Sequence, residues 1–282
     1  MKRYSKITPQ GARDFLFEES DDRKKIESTL SALYKENSYR KVITPAIEYI
    51  DVFENGNSGM ESDIMYKLTD NYGRTTVLRP DNTMPIARLV ATRLSKEDFP
   101  VRLYYNQNIF VRSKSYAGNA DEIPQSGIEL IGDGSREADL EVLTMAIEAL
   151  RRSNLASFSF EIGHAGFINS VLDSMNLTSN QRADICALME SKNYAALGDM
   201  LDAFGDTPQT RALHRLPRLF GGIEVLEDAK KLYSDEKSDA ALDYLKTVFE
   251  KLCELGFGDN VMIDLGFANR SNYYTGVICR GY

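Results

Sequence analysis

The sequence predicts an α+β fold in which a mostly antiparallel sheet is flanked by helices and interrupted by a helical insertion. Three observations indicate this fold. Strand-like runs alternate with helical patterns up to about residue 165, no convincing strand occurs between residues 166 and 255, and strand character returns after residue 256. We therefore expect residues 1–165 and 256–282 to form the core fold and residues 166–255 to form a helical insertion.

The first elements combine an amphipathic helix with short strands. Within residues 20–39, Ile26, Leu30, Leu33 and Tyr34 recur at helical spacing after an acidic run that suits a helix N-terminus. The β-branched run Lys41–Pro45 predicts a strand at a sheet edge or an interface, because proline cannot donate a ladder hydrogen bond. A hairpin is predicted around the turn residues 70–73, with the strand-like runs Ile64–Leu68 and Thr75–Leu78 on either side.

The rest of the chain repeats these patterns. A helix is predicted over Asn82–Leu94, with Ala87, Val90, Ala91 and Leu94 on one face, and another through Leu140–Leu150. Further strand-like runs are Val101–Tyr105, Ile109–Arg112, Gly127–Ile131, Phe158–Ile162, Val261–Leu265 and Tyr273–Cys279. Gly221-Gly222 is predicted to be a turn between two apolar faces, one of Leu213, Leu216, Leu219 and Phe220 and the other of Val225, Leu226 and Ala229.

Composition narrows the class of protein. With 282 residues, 43% of them hydrophobic, the chain can form one large domain with an insertion. It has no apolar run of about 18 residues and no signal-peptide core at its N-terminus, so we expect a cytoplasmic protein that does not enter a membrane. The net charge of -8 argues against broad nucleic-acid binding. Three scattered cysteines indicate neither a disulfide framework nor a zinc site, and we expect no metal and no cofactor.

The segment Arg79-Pro-Asp-Asn-Thr83 follows a predicted strand and opens a predicted helix. It places a carboxylate, a hydroxyl and free backbone N–H groups together, which suits the binding of a small molecule. Asp81 and Thr83 are therefore candidate binding residues. The alternative is that one of them only caps the helix, as residues of these types often do.

Gln125 and Glu129 lie four residues apart in a predicted strand, so their side chains point to the same face. Because the neighbouring residues are mostly apolar, a carboxylate on an inward face needs a cation or a hydrogen-bond donor. The ammonium group and an imidazole N–H of an amino-acid ligand would supply both. The alternative is a solvated sheet face.

Three more polar or aromatic candidates lie on predicted strands. Arg112 can bind a carboxylate or phosphate through two parallel hydrogen bonds, or it forms a surface ion pair. Tyr273 and Tyr274 point to opposite faces, so one can line a pocket, or the run is purely structural. His164 and His214 have no nucleophile or metal partner in the pattern, and we interpret them as packing or surface residues.

The order and spacing of these segments resemble those of histidyl-tRNA synthetases and their paralogues over essentially the whole chain. The segments that carry the resemblance are Thr8-Pro-Gln-Gly-Ala-Arg-Asp14, Tyr39–Glu48, Leu68–Gly73, Leu78–Thr83 with Arg88, Arg112, Gln125-Ser-Gly-Ile-Glu129 and Tyr273-Tyr-Thr-Gly276. The resemblance implies a class II aminoacyl-tRNA synthetase-like fold. It also implies a site for free histidine made of Asp81, Thr83, Gln125, Glu129, Tyr273 and Tyr274, with Arg112 available for the ligand carboxylate.

Departures from the synthetase pattern separate the chain from active synthetases. Asp81 stands where synthetases carry Glu, Lys114 where they carry an acidic residue, and Asn269 where they carry an arginine. Adenylate formation builds negative charge at the α-phosphate, and Asn269 cannot supply the compensating cation. Arg270 points to the opposite face of a regular strand unless a bulge corrects its direction. We therefore expect adenylate formation to be lost or very weak.

Two other segments, Leu213–Ala229 and Gly163-His-Ala-Gly-Phe167, are similar to the regulatory subunit of ATP phosphoribosyltransferase, a catalytically inactive synthetase paralogue. The resemblance implies a non-catalytic subunit that activates a short-form ATP phosphoribosyltransferase and mediates histidine feedback inhibition in the first step of histidine biosynthesis. The implied partners are the short catalytic subunit and free histidine as effector. The implied assembly is a homodimer within a hetero-oligomer, without nucleic acid.

Two alternatives stay open. One is a truncated histidyl-tRNA synthetase catalytic domain, because the sequence ends at Tyr282 in a predicted strand, before any motif 3 arginine or anticodon-binding domain. The other is a structural partner that binds no ligand. Histidine-dependent pyrophosphate exchange identifies the synthetase, and a response to histidine distinguishes the regulator from the structural partner.

Overall fold

The structure, a computed structural model, describes residues 4–54, 62–112, 120–267 and 274–282. The chain divides into two compact units, Met1–Gly134 (unit 1) and Ser135–Tyr282 (unit 2). Helices and strands occur in both units, and the α+β class is confirmed. The sequence predicted a different division, with a core fold of residues 1–165 and 256–282 and a helical insertion of residues 166–255. That division stays a prediction.

Unit 1 has two small sheets in its described part. Its helices are α1 (Phe17–Glu36), α2 (Asp51–Glu54) and α3 (Thr83–Arg93). Its strands are β1 (Arg40–Lys41), β2 (Ile47–Tyr49), β3 (Tyr66–Thr69), β4 (Thr75–Leu78), β5 (Val101–Phe110) and β6 (Glu122–Ile131). One sheet has the order β1-β5-β6, and its edge strand β1 shares only Lys41 with the predicted strand Lys41–Pro45. The other has the antiparallel order β2-β4-β3, which contains the predicted β3–β4 hairpin.

Helix α3 packs on one face of the β5–β6 pair. Ile86 and Val90 form a buried cluster there with strand residues such as Leu103. The predicted helix face was partly wrong, because Ala87 and Ala91 are exposed. Burying the larger isoleucine removes more apolar surface from water than burying an alanine does, so packing selects the neighbouring face.

Helix α1 packs on the opposite face of the same strands. The Tyr34 ring lies 5.4 Å from the Tyr104 ring, centroid to centroid, and the Tyr34 hydroxyl is 3.2 Å from Ser126 Oγ. Leu33 and Tyr34 are buried as predicted, whereas Ile26, expected on the same face, is exposed. The contact with the strands is therefore made by the C-terminal half of the helix.

Unit 2 combines one sheet with a set of helices. The helices are α4 (Arg136–Arg152), α5 (Ala165–Asp173), α6 (Ser179–Glu190), α7 (Tyr194–Asp202), α8 (Pro208–Arg215), α9 (Glu224–Leu232) and α10 (Glu236–Glu254). The strands are β7 (Phe160–His164), β8 (Phe220–Gly221), β9 (Val261–Asp264) and β10 (Val277–Gly281). The sheet order is β10-β7-β9-β8. Because β7 precedes the helical segment and β9 and β10 follow it, the sheet is interrupted and then resumed, as predicted.

Several sequence expectations need correction. Strand β8 lies within residues 166–255, where no strand was expected, and pairs with β9. Phe220 is exposed rather than part of an apolar helix face. The runs Val101–Tyr105 and Ile109–Arg112 belong to one strand, β5, which ends before Arg112. Strand β10 begins only at Val277.

No helix in the described part of the chain is both long and apolar enough to cross a bilayer.

Candidate functional site

A network of side-chain amides fixes the start of α3 against the β5–β6 pair. Asn82 is fully buried, and its Nδ2 donates to Gln125 Oε1 at 2.7 Å. Gln107, the cross-strand partner of Gln125, donates from Nε2 to Asn82 Oδ1 at 3.0 Å. The backbone N–H of Thr44 donates to Gln107 Oε1 at 2.8 Å. This network orients Gln125 and holds the first turn of α3 in place.

Thr83 and Glu129 meet one step further along the same face. The Thr83 hydroxyl donates to Glu129 Oε1 at 2.7 Å. Gln125 and Glu129 do point to the same side of β6, as their spacing predicts, and that side faces α3. The half-buried carboxylate of Glu129 therefore lies on an inward face rather than on a solvated one.

The first turn of α3 also fixes Asp81. Its Oδ1 accepts from the backbone N–H of Met84 at 2.9 Å, so Asp81 caps the helix, in agreement with the alternative given above. Burial raises the pKa of the Asp81 carboxyl, and hydrogen bonds from the backbone N–H groups of Met84, Thr83 and Asn82 oppose that shift. Capping does not remove Asp81 from the group, because its charge acts on Glu129.

Glu129 has the most perturbed carboxyl group of this cluster. Burial raises its pKa to about 7, the hydrogen bond from Thr83 opposes the shift, and the negative charge of Asp81 adds to it. Each of two neighbouring acids disfavours the ionisation of the other. A ligand that brings a positive charge or an N–H donor stabilises the ionised form of the pair.

Tyr105 lies between Gln125 and Glu129 on the same face. It is buried, and it pairs across the strands with Gly127. A Cβ atom at Gly127 would lie 2.5 Å from the Tyr105 hydroxyl oxygen, so only glycine lets the tyrosine ring lie across this position. The ring therefore forms an aromatic wall between the two polar side chains of β6.

Arg112 is placed apart from this group in the contacts that the structure describes. It follows the end of β5, its side chain is exposed, and its backbone N–H donates to Ile64 O at 2.8 Å. Its charge acts on Tyr66, whose hydroxyl donates to Asp121. Within the described residues, no hydrogen bond or ion pair joins Arg112 to the predicted partners on α3 and β6. A role for Arg112 toward a ligand stays a prediction.

The predicted tail segment of the site lies in unit 2. Tyr274 is about half exposed and precedes β10 instead of lying within a strand. Tyr273, Lys114, Asn269 and Arg270 lie outside the described residues. His164 accepts from the backbone N–H of Gly166 and caps α5, a structural role that agrees with its interpretation as a packing residue.

Three members of the cluster were not predicted, namely Asn82, Tyr105 and Gln107. A signal for Tyr105 and Gln107 exists in the sequence, because they follow Val101 and Leu103 at intervals of two residues and so share their strand face. Their register opposite Gly127 and Gln125 is a tertiary property that the local pattern does not contain. The described residues hold no group of three or more His, Cys, Asp or Glu side chains that could bind a metal ion.

The chain resembles known proteins over its full length. A family model described as histidyl-tRNA synthetase matches residues 11–282. A protein of Clostridium novyi, named ATP phosphoribosyltransferase regulatory subunit, is 39% identical over 287 aligned positions, which cover 100% of this chain and 68% of the relative.

Solved structures agree with this similarity. The crystal structure of an ATP phosphoribosyltransferase regulatory subunit/histidyl-tRNA synthetase from Bacillus halodurans superposes with a TM-score of 0.90 at 33% identity, covering 100% of this chain and 73% of that one. A histidine–tRNA ligase subunit from Alicyclobacillus acidocaldarius superposes with a TM-score of 0.81 at 24% identity, covering 98% and 85%. The second likeness supports the fold alone.

Proposed function

Because this chain belongs to the family of histidyl-tRNA synthetase-like regulatory subunits of ATP phosphoribosyltransferase, we propose that it is a non-catalytic regulator in histidine biosynthesis. It activates a short-form catalytic subunit and transmits feedback inhibition by histidine. Its effector is free histidine, and its assembly is a homodimer within a hetero-oligomer. The reaction itself is carried out by the partner chain.

One observation carries the proposed effector site, namely the Thr83–Glu129 contact beside Asp81. The ammonium group of histidine would bring a positive charge to the two neighbouring carboxylates, and its imidazole N–H would supply a donor. Tyr105 offers an aromatic wall on the same face. The roles that the resemblance gives to Arg112, Tyr273 and Tyr274 remain part of the proposal.

Binding at this site controls activity only if the inhibited state of the complex binds histidine more tightly than the active state does. Thr83 and Asp81 lie at the N-terminus of α3, whereas Glu129 lies on β6. A ligand that contacts both elements strengthens their attachment to each other. We propose that this tightening favours the inhibited state.

The test is to reconstitute the complex with a short catalytic subunit and to titrate it with histidine. We expect histidine to suppress the transferase activity of the wild-type complex and to release heat on binding to the isolated regulator. In the Glu129→Gln variant, histidine should bind about 10–100-fold more weakly, because a hydrogen bond to a charged group contributes about 1.5–3 kcal/mol. Activation without histidine should be unchanged.

The matched control is Glu122→Gln, which removes an exposed carboxylate from the same strand. It should leave both the affinity for histidine and the inhibition unchanged. The proposal is contradicted if the wild-type regulator binds no histidine, or if Glu129→Gln binds it as well as the wild type does. An association with the catalytic subunit that histidine never affects would instead support a structural partner.

A further inference from the structure

Unit 2 contains a cavity of about 290 Å³ that shares no residue with the Asp81–Glu129 group. All four strands of the sheet contribute to it. Glu161 on β7 lies directly opposite Arg280 on β10, and Asp264 on β9 lies opposite Phe220 on β8. The C-terminal end of α6 and the start of α7 supply further lining residues, and Lys192 in the turn between the two helices is another. The volume is near the lower end of ordinary small-molecule sites, about 300 Å³.

The charged residues around this cavity have both signs. Arg280 places its guanidinium over the ring of Phe267, 4.9 Å from the centroid, and no close ion pair joins it to Glu161 within the described residues. Asp264 accepts from the backbone N–H of Gly266 at 2.7 Å, which orients its carboxylate at the cavity. Glu161 interacts electrostatically with Asp264, Lys192 and Arg280.

Burial and Asp264 raise the pKa of Glu161, and the two cations oppose that shift. A half-buried carboxylate in this position gains most from a ligand cation that approaches both Glu161 and Asp264. Lys192 and Arg280 can in turn pair with a ligand carboxylate. Apolar or aromatic residues line the cavity as well, namely Met189, Tyr194, Phe220 and Phe267.

We infer that this cavity binds a small zwitterion, a free α-amino acid with an apolar or aromatic side chain. Its ammonium group lies toward Glu161 and Asp264, its carboxylate lies toward Lys192 and Arg280, and its side chain contacts the apolar or aromatic lining residues. Nothing in this inference depends on the proposed histidine site, because the residues of the two sites differ.

The test uses the full chain and an equimolar mixture of the twenty free L-amino acids, with saturation-transfer NMR detecting those that bind. We expect at least one apolar or aromatic amino acid whose signal persists in Glu129→Gln and disappears in Glu161→Gln. Titration of that amino acid should show at least tenfold weaker binding to Glu161→Gln and to Lys192→Asn. Glu250→Gln, which changes an exposed glutamate of α10, is the matched control.

Thermal unfolding and circular dichroism establish that each variant is folded, and the exposed Lys192 provides a test even if Glu161→Gln does not fold. Lys192 has a φ of 55°, a conformation that asparagine tolerates. The inference is overturned if no amino acid gives a signal that depends on Glu161 or Lys192. It is also overturned if 3-phenylpropionate, which lacks the ammonium group, binds as tightly as phenylalanine.

Discussion

The Glu129 carboxyl group ionises near neutrality in the folded chain, with a pKa of about 7, whereas its ordinary value is 4.5. Because the folded pKa lies above the unfolded one, folding favours the protonated form. This stabilisation is complete below about pH 4.5 and is lost as the pH rises toward 7. We expect the free energy of unfolding of the ligand-free protein, relative to that of Glu129→Gln, to fall across this interval.

Urea unfolding at half-unit pH steps measures this difference. A difference between wild type and variant that stays constant from pH 4.5 to 7 would show that Glu129 has an ordinary pKa. Saturating histidine should reduce the pH dependence, because a bound ammonium group favours the ionised carboxylate. The comparison with Glu129→Gln removes the contributions of all other titrating groups.

The individual residues of this cluster were predictable to different degrees. Gln125 and Glu129 could be placed on one face because strand periodicity is local. Tyr105 could not, because its position depends on which residue β6 places opposite it, and that residue is Gly127. The capping by Asp81 was one of two roles that the sequence left open, and the contact with Met84 identifies it.

At the level of elements, α3 is attached to two sheets of unit 1. Its first turn contacts β5 and β6 through Asn82 and Thr83, and Arg88 reaches β2, where its guanidinium donates twice to Glu48. Glu48 is only 7% exposed, and Arg88 forms an ion pair with it. The Arg88–Glu48 pair therefore helps to hold α3 in position, and with it the proposed ligand site at the start of the helix.

We predict that Arg88→Met destabilises the protein by about 2–3 kcal/mol, because it leaves the Glu48 carboxylate buried without its cation. Denaturant unfolding measures the loss of stability. We expect a smaller loss than for a fully buried ion pair, because Arg88 is partly exposed. Arg93→Met, in the exposed last turn of the same helix, should change stability by less than about 0.5 kcal/mol. Equal effects of the two substitutions would contradict this role of Arg88.

The elements themselves were easier to predict than their faces. Helix α3 and the β3–β4 hairpin were located from apolar periodicity and turn residues, which are local signals. The inward face of α3 was wrong at Ala87 and Ala91, because the choice between adjacent faces depends on what the sheet presents. Strand β8 was missed because two residues that pair with β9 leave no periodic pattern.

For the chain as a whole, the interrupted sheet was predictable from the loss and return of strand character. The pairing order was not, because β7 joins two strands that follow it by almost a hundred residues or more. Local patterns do not specify which distant strands become neighbours. The order of the motifs added that information through resemblance, and the structure confirms the synthetase-like fold.

Both histidyl-tRNA synthetases and regulatory subunits have this fold. We expect them to differ in whether positive groups stabilise the α-phosphate of ATP. A synthetase stabilises the charge that develops at the α-phosphate with positioned cations. The resemblance to synthetases puts the uncharged Asn269 where they have an arginine, and Lys114 where they have an acidic residue. We therefore expect histidine-dependent exchange of pyrophosphate into ATP to stay at background at a histidine concentration that saturates the protein. A histidyl-tRNA synthetase measured in parallel is the positive control. If exchange above background occurs and Arg270→Ala abolishes it, Arg270 supplies the missing cation and the chain is an active synthetase domain.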